Sequence, residues 1–423
     1  MFIGSFTERP YQDPKAKFFG ASKEELTDLV LSNGEYDSEI AADLYNRYFD
    51  EKLYAEEMGF DGLMLNEHHS TPFTMGSVMN VEASILARIT KKAKIVLLGN
   101  ILPVRSDPIF LAEELAMIDV ISRGRLISGW VRGTGRESLS HNAQTPYNWD
   151  RFQEAHELIV KTWTDPGPFR WEGRHYQQRY VNPWAKPYQK PHMPIWVPGV
   201  LSYNTLEWAA RKRYPYLMTA TDEEPTRQCF EIYNQIAREN GYEAGPQNYG
   251  YMVKLHVDET EELAEETARK LLQGPSNPFL EGNQGGVHPH LQALPGLTNR
   301  QKLLPTASSR AALAGRGIST TGHAPGSFED QRAKRGIICG TPKKVLEELR
   351  ISLETVRPGI VMVWDGDGAM THDDAMRSLR LMGEIILPTM REWAKELDLP
   401  GPFEKSPVTG EVLSPEPAGV AGA

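Results

Sequence analysis

Short apolar runs alternate with helix-like stretches over most of this chain, and this alternation limits the possible folds more than any other feature. Eight runs have the length and composition of buried strands, and most of them precede a helical pattern. They are Phe2–Phe6, Leu63–Asn66, Ile95–Ile101, Leu126–Val131, Ile195–Pro198, Tyr216–Thr219, Tyr249–His256 and Ile360–Trp364. The pattern predicts an α/β fold in which eight parallel strands close into a (β/α)8 barrel.

Three segments interrupt the repeat. A (β/α)8 barrel needs about 250 residues, so much of the 423-residue chain must lie in insertions and tails. The segments span about 8–37, 165–194 and 274–336, and the last carries His288, His290 and His323. Long surface segments of this kind are typically lids, so we expect large insertions at the C-terminal face that cover the barrel mouth. Residues 1–399 would form one domain, and residues 400–423 an extended C-terminal tail.

Several helix boundaries can be read from the sequence. Asp107 before Pro108 has the pattern of an N-cap followed by proline in the first helical position, and Thr341 before Pro342 repeats it. Thr371 with Asp374 has the spacing of a capping box. These signals place helices directly before or after the predicted strands, as a barrel requires.

Composition excludes several classes of protein. The formal charge of −10 argues against a nucleic-acid binder. No apolar run is long enough to cross a bilayer, and Met1–Pro10 lacks the features of a signal peptide. The two cysteines, Cys229 and Cys339, lie far apart and suit a reducing compartment. We therefore expect a cytoplasmic protein with neither nucleic acid nor membrane as a partner.

A carboxylate and two imidazoles follow the second predicted strand, as Glu67, His68 and His69. In a (β/α)8 barrel the carboxyl end of a strand is where catalytic residues lie. Imidazole titrates near neutral pH, which suits a general acid or base. Side chains alternate along a strand, so the three cannot all face the barrel interior. A structural polar cluster is one alternative. A metal site completed by Asp365 and Asp367 is another, although no metal is expected.

A candidate anion site follows the fifth predicted strand. Ser202 is a plausible N-cap for the next helix, and Thr205 lies in its first turn. Free backbone N–H groups at a helix N-terminus attract anions, and Arg132, at the end of the fourth strand, could add a bidentate contact to a phosphate. The alternative is an ordinary helix cap beside a surface arginine.

Five motifs in this order resemble the bacterial luciferase-like, flavin-dependent monooxygenase family. The resemblance covers most of the chain outside the insertions, and it implies a TIM (β/α)8 barrel that binds reduced FMN, usually as a homodimer. The motifs are Gly59-Phe60-Asp61 leading to Glu67-His68-His69; Leu102-Pro103, then Asp107-Pro108, ending in Ser122-Arg123-Gly124-Arg125; Gly129-Trp130-Val131-Arg132-Gly133; Pro194-Ile195-Trp196-Val197-Pro198-Gly199 followed by Ser202 and Thr205; and Gly340-Thr341-Pro342.

The resemblance implies roles for particular residues. The positions that match the family's phosphate site are Arg132, Gly199, Ser202 and Thr205. The turn that matches the family's flavin-ring contact is Gly99-Asn100, where the family has a strained, sometimes cis, non-proline peptide.

The same resemblance assigns roles around the strand exit. His68 matches the catalytic histidine, which would act as general acid or base. His69 would support the substrate or a lid, and Glu67 would pair with a neighbouring base or backbone group.

The implied reaction is a monooxygenation in which reduced FMN and molecular oxygen (O2) oxidise a small organic substrate through a peroxyflavin, an oxidoreductase acting on paired donors. A separate NAD(P)H:flavin reductase would supply the reduced flavin, since no glycine-rich nicotinamide-binding fingerprint is evident. The alternatives are a deazaflavin-dependent oxidoreductase on the same scaffold, a non-catalytic flavin-binding protein and a metal-dependent barrel hydrolase.

Overall fold

The computed structural model describes residues 1–16, 32–133, 135–219, 221–272, 315–316 and 327–404. Much of the predicted insertion at 274–336, with His288, His290 and His323, lies outside the described residues. So do residues 17–31 of the first insertion and the C-terminal tail beyond residue 404.

Twelve strands occur in the described ranges. In chain order they are β1 (Phe2–Phe6), β2 (Gly62–Leu65), β3 (Lys94–Leu97), β4 (Asn100–Ile101), β5 (Leu126–Val131), β6 (Phe169–Glu172), β7 (Gln177–Val181), β8 (Ile195–Gly199), β9 (Tyr216–Met218), β10 (Tyr249–Val257), β11 (Ile338–Gly340) and β12 (Ile360–Trp364).

Eight of these strands close into a parallel barrel, which confirms the predicted fold. Around the ring the order is β1, β2, β3, β5, β8, β9, β10 and β12, and β12 pairs with β1 again. Each corresponds to one predicted strand, with ends that agree to within a few residues. The third predicted strand, Ile95–Ile101, is broken: β3 ends at Leu97, and β4 resumes at Asn100 beside β5.

Twelve α-helices accompany these strands in the described part of the chain. They are α1 (Ser38–Glu57), α2 (Met79–Ile89), α3 (Pro108–Ile121), α4 (Gly135–Ser140), α5 (Asn148–Thr164), α6 (Tyr203–Lys212), α7 (Glu223–Glu239), α8 (Glu261–Arg269), α9 (Phe328–Ala333), α10 (Pro342–Val356), α11 (His372–Leu381) and α12 (Leu387–Glu396). None of these helices is both long and apolar enough to cross a bilayer.

The predicted helix starts are confirmed, although one cap differs in detail. Asp107 accepts a hydrogen bond from the backbone N–H of Ile109, and Thr371 with Asp374 forms a reciprocal capping box. Thr341 precedes α10 as expected, but its hydroxyl donates to the Glu261 carboxylate instead of capping the helix. Proline in the first turn is therefore the stronger of the two signals at this helix.

Alternating side chains divide the barrel into two apolar layers. One face of each strand packs on the helices, in a large cluster that includes Leu63, Ile95 and Trp130. The other face fills the interior, with Phe2, Phe6, Met64, Val96, Leu98, Ile127, Trp196, Leu217, Met252, Ile360, Met362 and Trp364. The interior is thus closed by bulky side chains, and a ligand can bind only above them, at the carboxyl ends of the strands.

The segment at 165–194 packs on the outer helices, and its role as a cover of the mouth stays a prediction. It connects the end of α5 to the start of β8, and Gln189 near its end donates to the Leu126 carbonyl at the start of β5. Between these points β6 and β7 form an antiparallel hairpin, and Gln178 of this hairpin contacts Asp107 beside α3. A connection from a helix to the next strand begins and ends at the amino-terminal face of a barrel, and from there the hairpin extends along α5 to the start of α3.

Candidate functional site

An anion-binding corner forms where β5 and β8 end. Ser202 occupies the N-cap position of α6, but its side chain does not cap the helix. Its hydroxyl accepts a hydrogen bond of 2.8 Å from an Nη atom of Arg132, and lies 3.0 Å from the Thr205 hydroxyl. The structure thus brings the three predicted residues together at the start of a ten-residue helix, where free N–H groups favour an anion.

Arg132 has no carboxylate partner among the described residues. Its guanidinium lies 5.3 Å from the ring centroid of Trp149, and burial lowers its pKa, although the charge of Tyr216 acts in the opposite direction. A half-buried guanidinium that contacts only a hydroxyl and an aromatic ring is not neutralised by a carboxylate, so it can bind an anionic ligand. The chemistry of this corner fits a phosphate.

Gly199 leaves room for a tyrosine beside this corner. A Cβ atom at Gly199 would lie 2.2 Å from the hydroxyl oxygen of Tyr216, so a larger residue would displace that ring. Tyr216 is fully buried, and its pKa is raised chiefly by burial. Gly199 therefore shapes the wall of the corner, while the hydroxyl and guanidinium groups would bind the ligand.

His68 pairs at the barrel mouth with a residue that the sequence did not single out. Its Nδ1 atom lies 2.9 Å from Oε1 of Glu137, which is in α4 and fully buried. Burial alone lowers the pKa of His68, but the hydrogen bond to Glu137 and the charges of Glu137, Glu8 and Glu67 outweigh it, so the pKa is raised. His68 lies three residues beyond the end of β2, and the alternation of that strand, continued from Met64, would point it toward the interior. An imidazole held in this way can transfer a proton at neutral pH.

Glu67 and His69 form a separate group. Both carboxylate oxygens of Glu67 accept from one Nη atom of Arg105, at 3.0 and 2.9 Å, and His69 Nε2 lies 3.4 Å from Glu67 Oε1. The His69 ring packs edge-on against that of His141, with centroids 4.1 Å apart. In the structure the base beside Glu67 is Arg105, and a catalytic role for Glu67 stays a prediction.

The turn at Gly99 is strained in a different way from the expectation. The cis peptide bonds in the described residues precede Pro168 and Pro191, so the peptide bonds of Gly99 are trans and the cis hypothesis is wrong. Gly99 instead has a φ of +153°, and a Cβ atom there would lie 2.7 Å from Cγ1 of Val131. Only glycine satisfies both constraints. Asn100 is fully buried, and its side-chain oxygen accepts from Asn80 at 3.1 Å.

Two acids and a lysine at the mouth were not predicted as one group. Glu8 follows β1, Asp367 follows β12, and Lys254 lies near the end of β10, all three buried. Burial raises the pKa of both acids and lowers that of Lys254 to about 8. Lys254 could have been noticed from the sequence, because it is the one charged residue between Tyr249 and Leu255, in a predicted buried strand.

The residues considered for a metal site have other partners. Asp365 accepts from the Ser378 hydroxyl and lies 3.1 Å from Nδ1 of His256, on the helix-facing side of the barrel. Asp367 accepts from the Trp364 indole at 2.6 Å. Within the described ranges, no three histidine, cysteine, aspartate or glutamate side chains are placed to hold one metal ion.

Known proteins resemble this chain in sequence and in fold. The alkanal monooxygenase alpha chain of Photorhabdus luminescens is 26% identical over 219 residues, or 52% of this chain. That alignment spans only 60% of the relative's length. The oxygenating constituent of 3,6-diketocamphane monooxygenase from Pseudomonas putida, solved with FMN, superposes with a TM-score of 0.67 at 18% identity, over 92% of this chain and 98% of that one.

A second solved structure shares the fold but is named for a different cofactor. An F420-dependent secondary alcohol dehydrogenase superposes with a TM-score of 0.57 at 16% identity, over 82% of this chain and 94% of that one. The model of the luciferase-like monooxygenase family matches residues 38–356, which include β2 to β11 and the whole of α10. The chain therefore belongs to the luciferase-like monooxygenase family.

Proposed function

We propose that this protein is a flavin-dependent monooxygenase that uses reduced FMN and O2 to oxidise a small organic substrate. The observation that carries the proposal is the 2.8 Å contact between Arg132 and Ser202 at the start of α6. This corner presents a guanidinium, two hydroxyls and a helix N-terminus to the barrel mouth, which is the donor set that a flavin phosphate requires.

The position of the corner relative to His68 supports the same function. With its phosphate near Arg132, a flavin would extend its ring over the closed barrel interior toward β2, where His68 and Glu137 lie. FMN would supply the redox chemistry, while His68 would hold or accept a proton beside the reacting atoms. Gly99 would let the backbone approach the ring closely, and Asn100 would support that turn.

Related proteins support oxygen chemistry. The matched relative is named an alkanal monooxygenase, and a protein of the same fold was solved with FMN. Deazaflavin-dependent hydride transfer is the second candidate, since the fold is also shared with an F420-dependent dehydrogenase and the phosphate corner suits either cofactor. Comparison of the affinities for FMN and for F420 separates the two.

We also propose that the protein is a homodimer. Exposed apolar side chains follow one another on α2 and α3, which pack side by side. They are Val81, Ile85 and Ile89 on α2, and Phe110, Met117, Val120 and Ile121 on α3, each 38–66% exposed. A contiguous apolar face of this kind is costly in water, and a second copy of the chain would cover it by pairing the same helices.

A cytoplasmic location and an external source of reduced flavin complete the proposal. Cys229 and Cys339 are buried free thiols, and burial raises the pKa of both, which suits inert side chains in a reducing compartment. A separate NAD(P)H:flavin reductase would deliver the reduced FMN.

Rapid mixing with O2 tests the function. Protein loaded with reduced FMN without oxygen is mixed with aerated buffer, and flavin reoxidation and hydrogen peroxide release are recorded. We expect slower reoxidation than for free FMN, and less peroxide once a suitable substrate is present. His68→Ala should impair coupling to substrate far more than it weakens FMN binding. Reoxidation at the rate of free flavin, or equal losses of binding and coupling in His68→Ala, would contradict the proposal.

A further inference from the structure

The half of the barrel mouth opposite the phosphate corner contains a buried ammonium group. Lys254 lies two residues after Met252, whose side chain fills the barrel interior, so alternation points Lys254 inward as well. It pairs in register with Trp364 of β12, and its Nζ atom lies 4.9 Å from the centroid of that ring. Phe6 of β1 is in register with Trp364. These three side chains form the floor of the mouth on this side.

The ammonium group of Lys254 lacks a hydrogen-bond partner. Only 6% of the residue is exposed, yet no acceptor in the described residues forms a hydrogen bond with its Nζ atom, and no carboxylate there forms an ion pair with it. Burial of an ammonium without acceptors is costly, and replacing it with an apolar side chain would remove that cost. Among the described residues its charge is balanced by the ring of Trp364 and by the acids Asp367 and Glu8, so its N–H donors are available to a ligand.

Two buried side-chain oxygens on this side of the mouth lack hydrogen-bond donors. Oδ1 of Asp367 and Oδ1 of Asn66 have no hydrogen-bond donor within the described part of the chain, although Asp367 Oδ2 accepts from Trp364 at 2.6 Å. The amide of Asn66 donates to the Glu8 carboxylate on the same side of the mouth. A ligand at this side of the mouth would thus meet the N–H donors of Lys254 and two acceptors, Oδ1 of Asp367 and Oδ1 of Asn66.

We propose that Lys254, Asp367 and Asn66 form a substrate subsite that binds the hydroxyl group of an otherwise apolar ring. A hydroxyl oxygen accepts from the ammonium of Lys254, and its hydrogen is donated to Asp367 or Asn66. The apolar body of the ring packs on the aromatic floor made by Phe6 and Trp364. The assignment of this group to a substrate rests on the proposed function, but the subsite itself can be tested without flavin.

Charge argues for a neutral hydroxyl over an anion. Glu8 and Asp367 both act on the ammonium, so an anionic ligand would bind there only with both acids kept protonated, whereas a neutral hydroxyl has no such requirement. A hydrocarbon would leave the donors of Lys254 and the oxygens of Asp367 and Asn66 without partners. A site built for hydrogen bonding therefore binds a hydrocarbon much more weakly than a ligand with a hydroxyl. A hydroxyl is the smallest group that satisfies a donor and an acceptor at once.

The test compares two probes of nearly equal shape, 4-fluorophenol and 4-fluorotoluene. Binding of each is measured by ¹⁹F NMR, first to the flavin-free protein and then in the presence of FMN. An ordinary apolar pocket prefers the toluene, whereas we expect the wild type to prefer the phenol by about ten-fold or more, since hydrogen bonds to charged groups are the strong ones. Because the first measurement needs no flavin, it is informative even if the protein fails to bind FMN.

Variants of Lys254 show whether this residue causes the preference for 4-fluorophenol. Lys254→Met should reverse it toward 4-fluorotoluene, and Lys254→Gln, which keeps N–H donors without charge, should give an intermediate ratio. Lys52→Met is the matched control, because Lys52 is an equally buried lysine that donates to the Ser5 carbonyl outside the barrel interior. A wild type that prefers 4-fluorotoluene, or a preference for the phenol that persists in both Lys254 variants, would overturn the proposal.

Discussion

His68 and Glu137 face each other at the barrel mouth, with 2.9 Å between the imidazole Nδ1 and the carboxylate Oε1. The histidine follows β2, and the glutamate comes from α4, which follows β5, so the pair joins two loops that are distant in sequence. Glu137 raises the pKa of His68 more than Glu67 does, although Glu67 is the neighbour of His68 in the sequence.

Glu137→Gln should lower the pKa of His68. The variant keeps the shape of the side chain but removes the charge, which leaves burial to act against the protonated imidazole. NMR titration of the histidine Cε1 resonances measures the change directly, with His69→Gln used to assign the neighbouring signal. An unchanged pKa would show that Glu137 does not control His68.

The same pair predicts how stability depends on pH. The pKa of His68 is higher in the folded protein than its ordinary value of 6.5, so the pair stabilises the fold fully below that value. The stabilisation is lost as the pH rises through the higher folded-state pKa. Urea unfolding should therefore show the largest difference between wild type and Glu137→Gln near pH 6, and a smaller one at about pH 9. A difference that grows with pH would contradict this reading.

Arg105→Met should destabilise the fold by about 3 kcal/mol, because it leaves the buried carboxylate of Glu67 without its cation. Urea unfolding measures the loss. Arg170→Met is the control, since the pair of Arg170 with Glu172 is exposed and should contribute little. The double variant Arg105→Met, Glu67→Gln should recover much of the loss, and a failure to recover would mean that Arg105 acts through packing alone.

The strands could be predicted because their signal is local. Buried parallel strands such as Leu126–Val131 and Ile360–Trp364 are uninterrupted apolar runs, and the structure has both with the predicted bounds. The three-residue strand β11 and the hairpin of β6 and β7 were missed, since exposed or very short strands lack such a run. The break at Gly99 was missed because it depends on the approach of Val131 from a neighbouring strand.

The site could be predicted only in part, for a related reason. Ser202, Thr205 and Arg132 were placed together from helix-cap and strand-end signals, and the structure brings them into contact. Glu137 was not identified, because its partner is 69 positions away in the sequence and its helix is only six residues long. Which groups meet above a barrel depends on the loops, and loops carry little periodic signal.

Phe110→Glu and Val81→Glu should separate the protein into monomers. Each places a charge in the apolar face of α2 and α3, where desolvation on association would be costly. Sedimentation velocity gives the mass in solution. Ile351→Glu, on α10, is the control, since Ile351 is similarly exposed but lies outside that face. A wild type that sediments as a monomer would contradict the proposed homodimer.

Comparison of FMN with riboflavin, which lacks the phosphate, tests the central claim most directly. The affinities of both reduced flavins are measured without oxygen for the wild type and for Arg132→Met, a variant that keeps an unbranched side chain and removes its charge. The account predicts that the wild type binds reduced FMN far more tightly than riboflavin, and that Arg132→Met weakens FMN binding while leaving riboflavin binding nearly unchanged. Equal affinities of the wild type for the two flavins would contradict it.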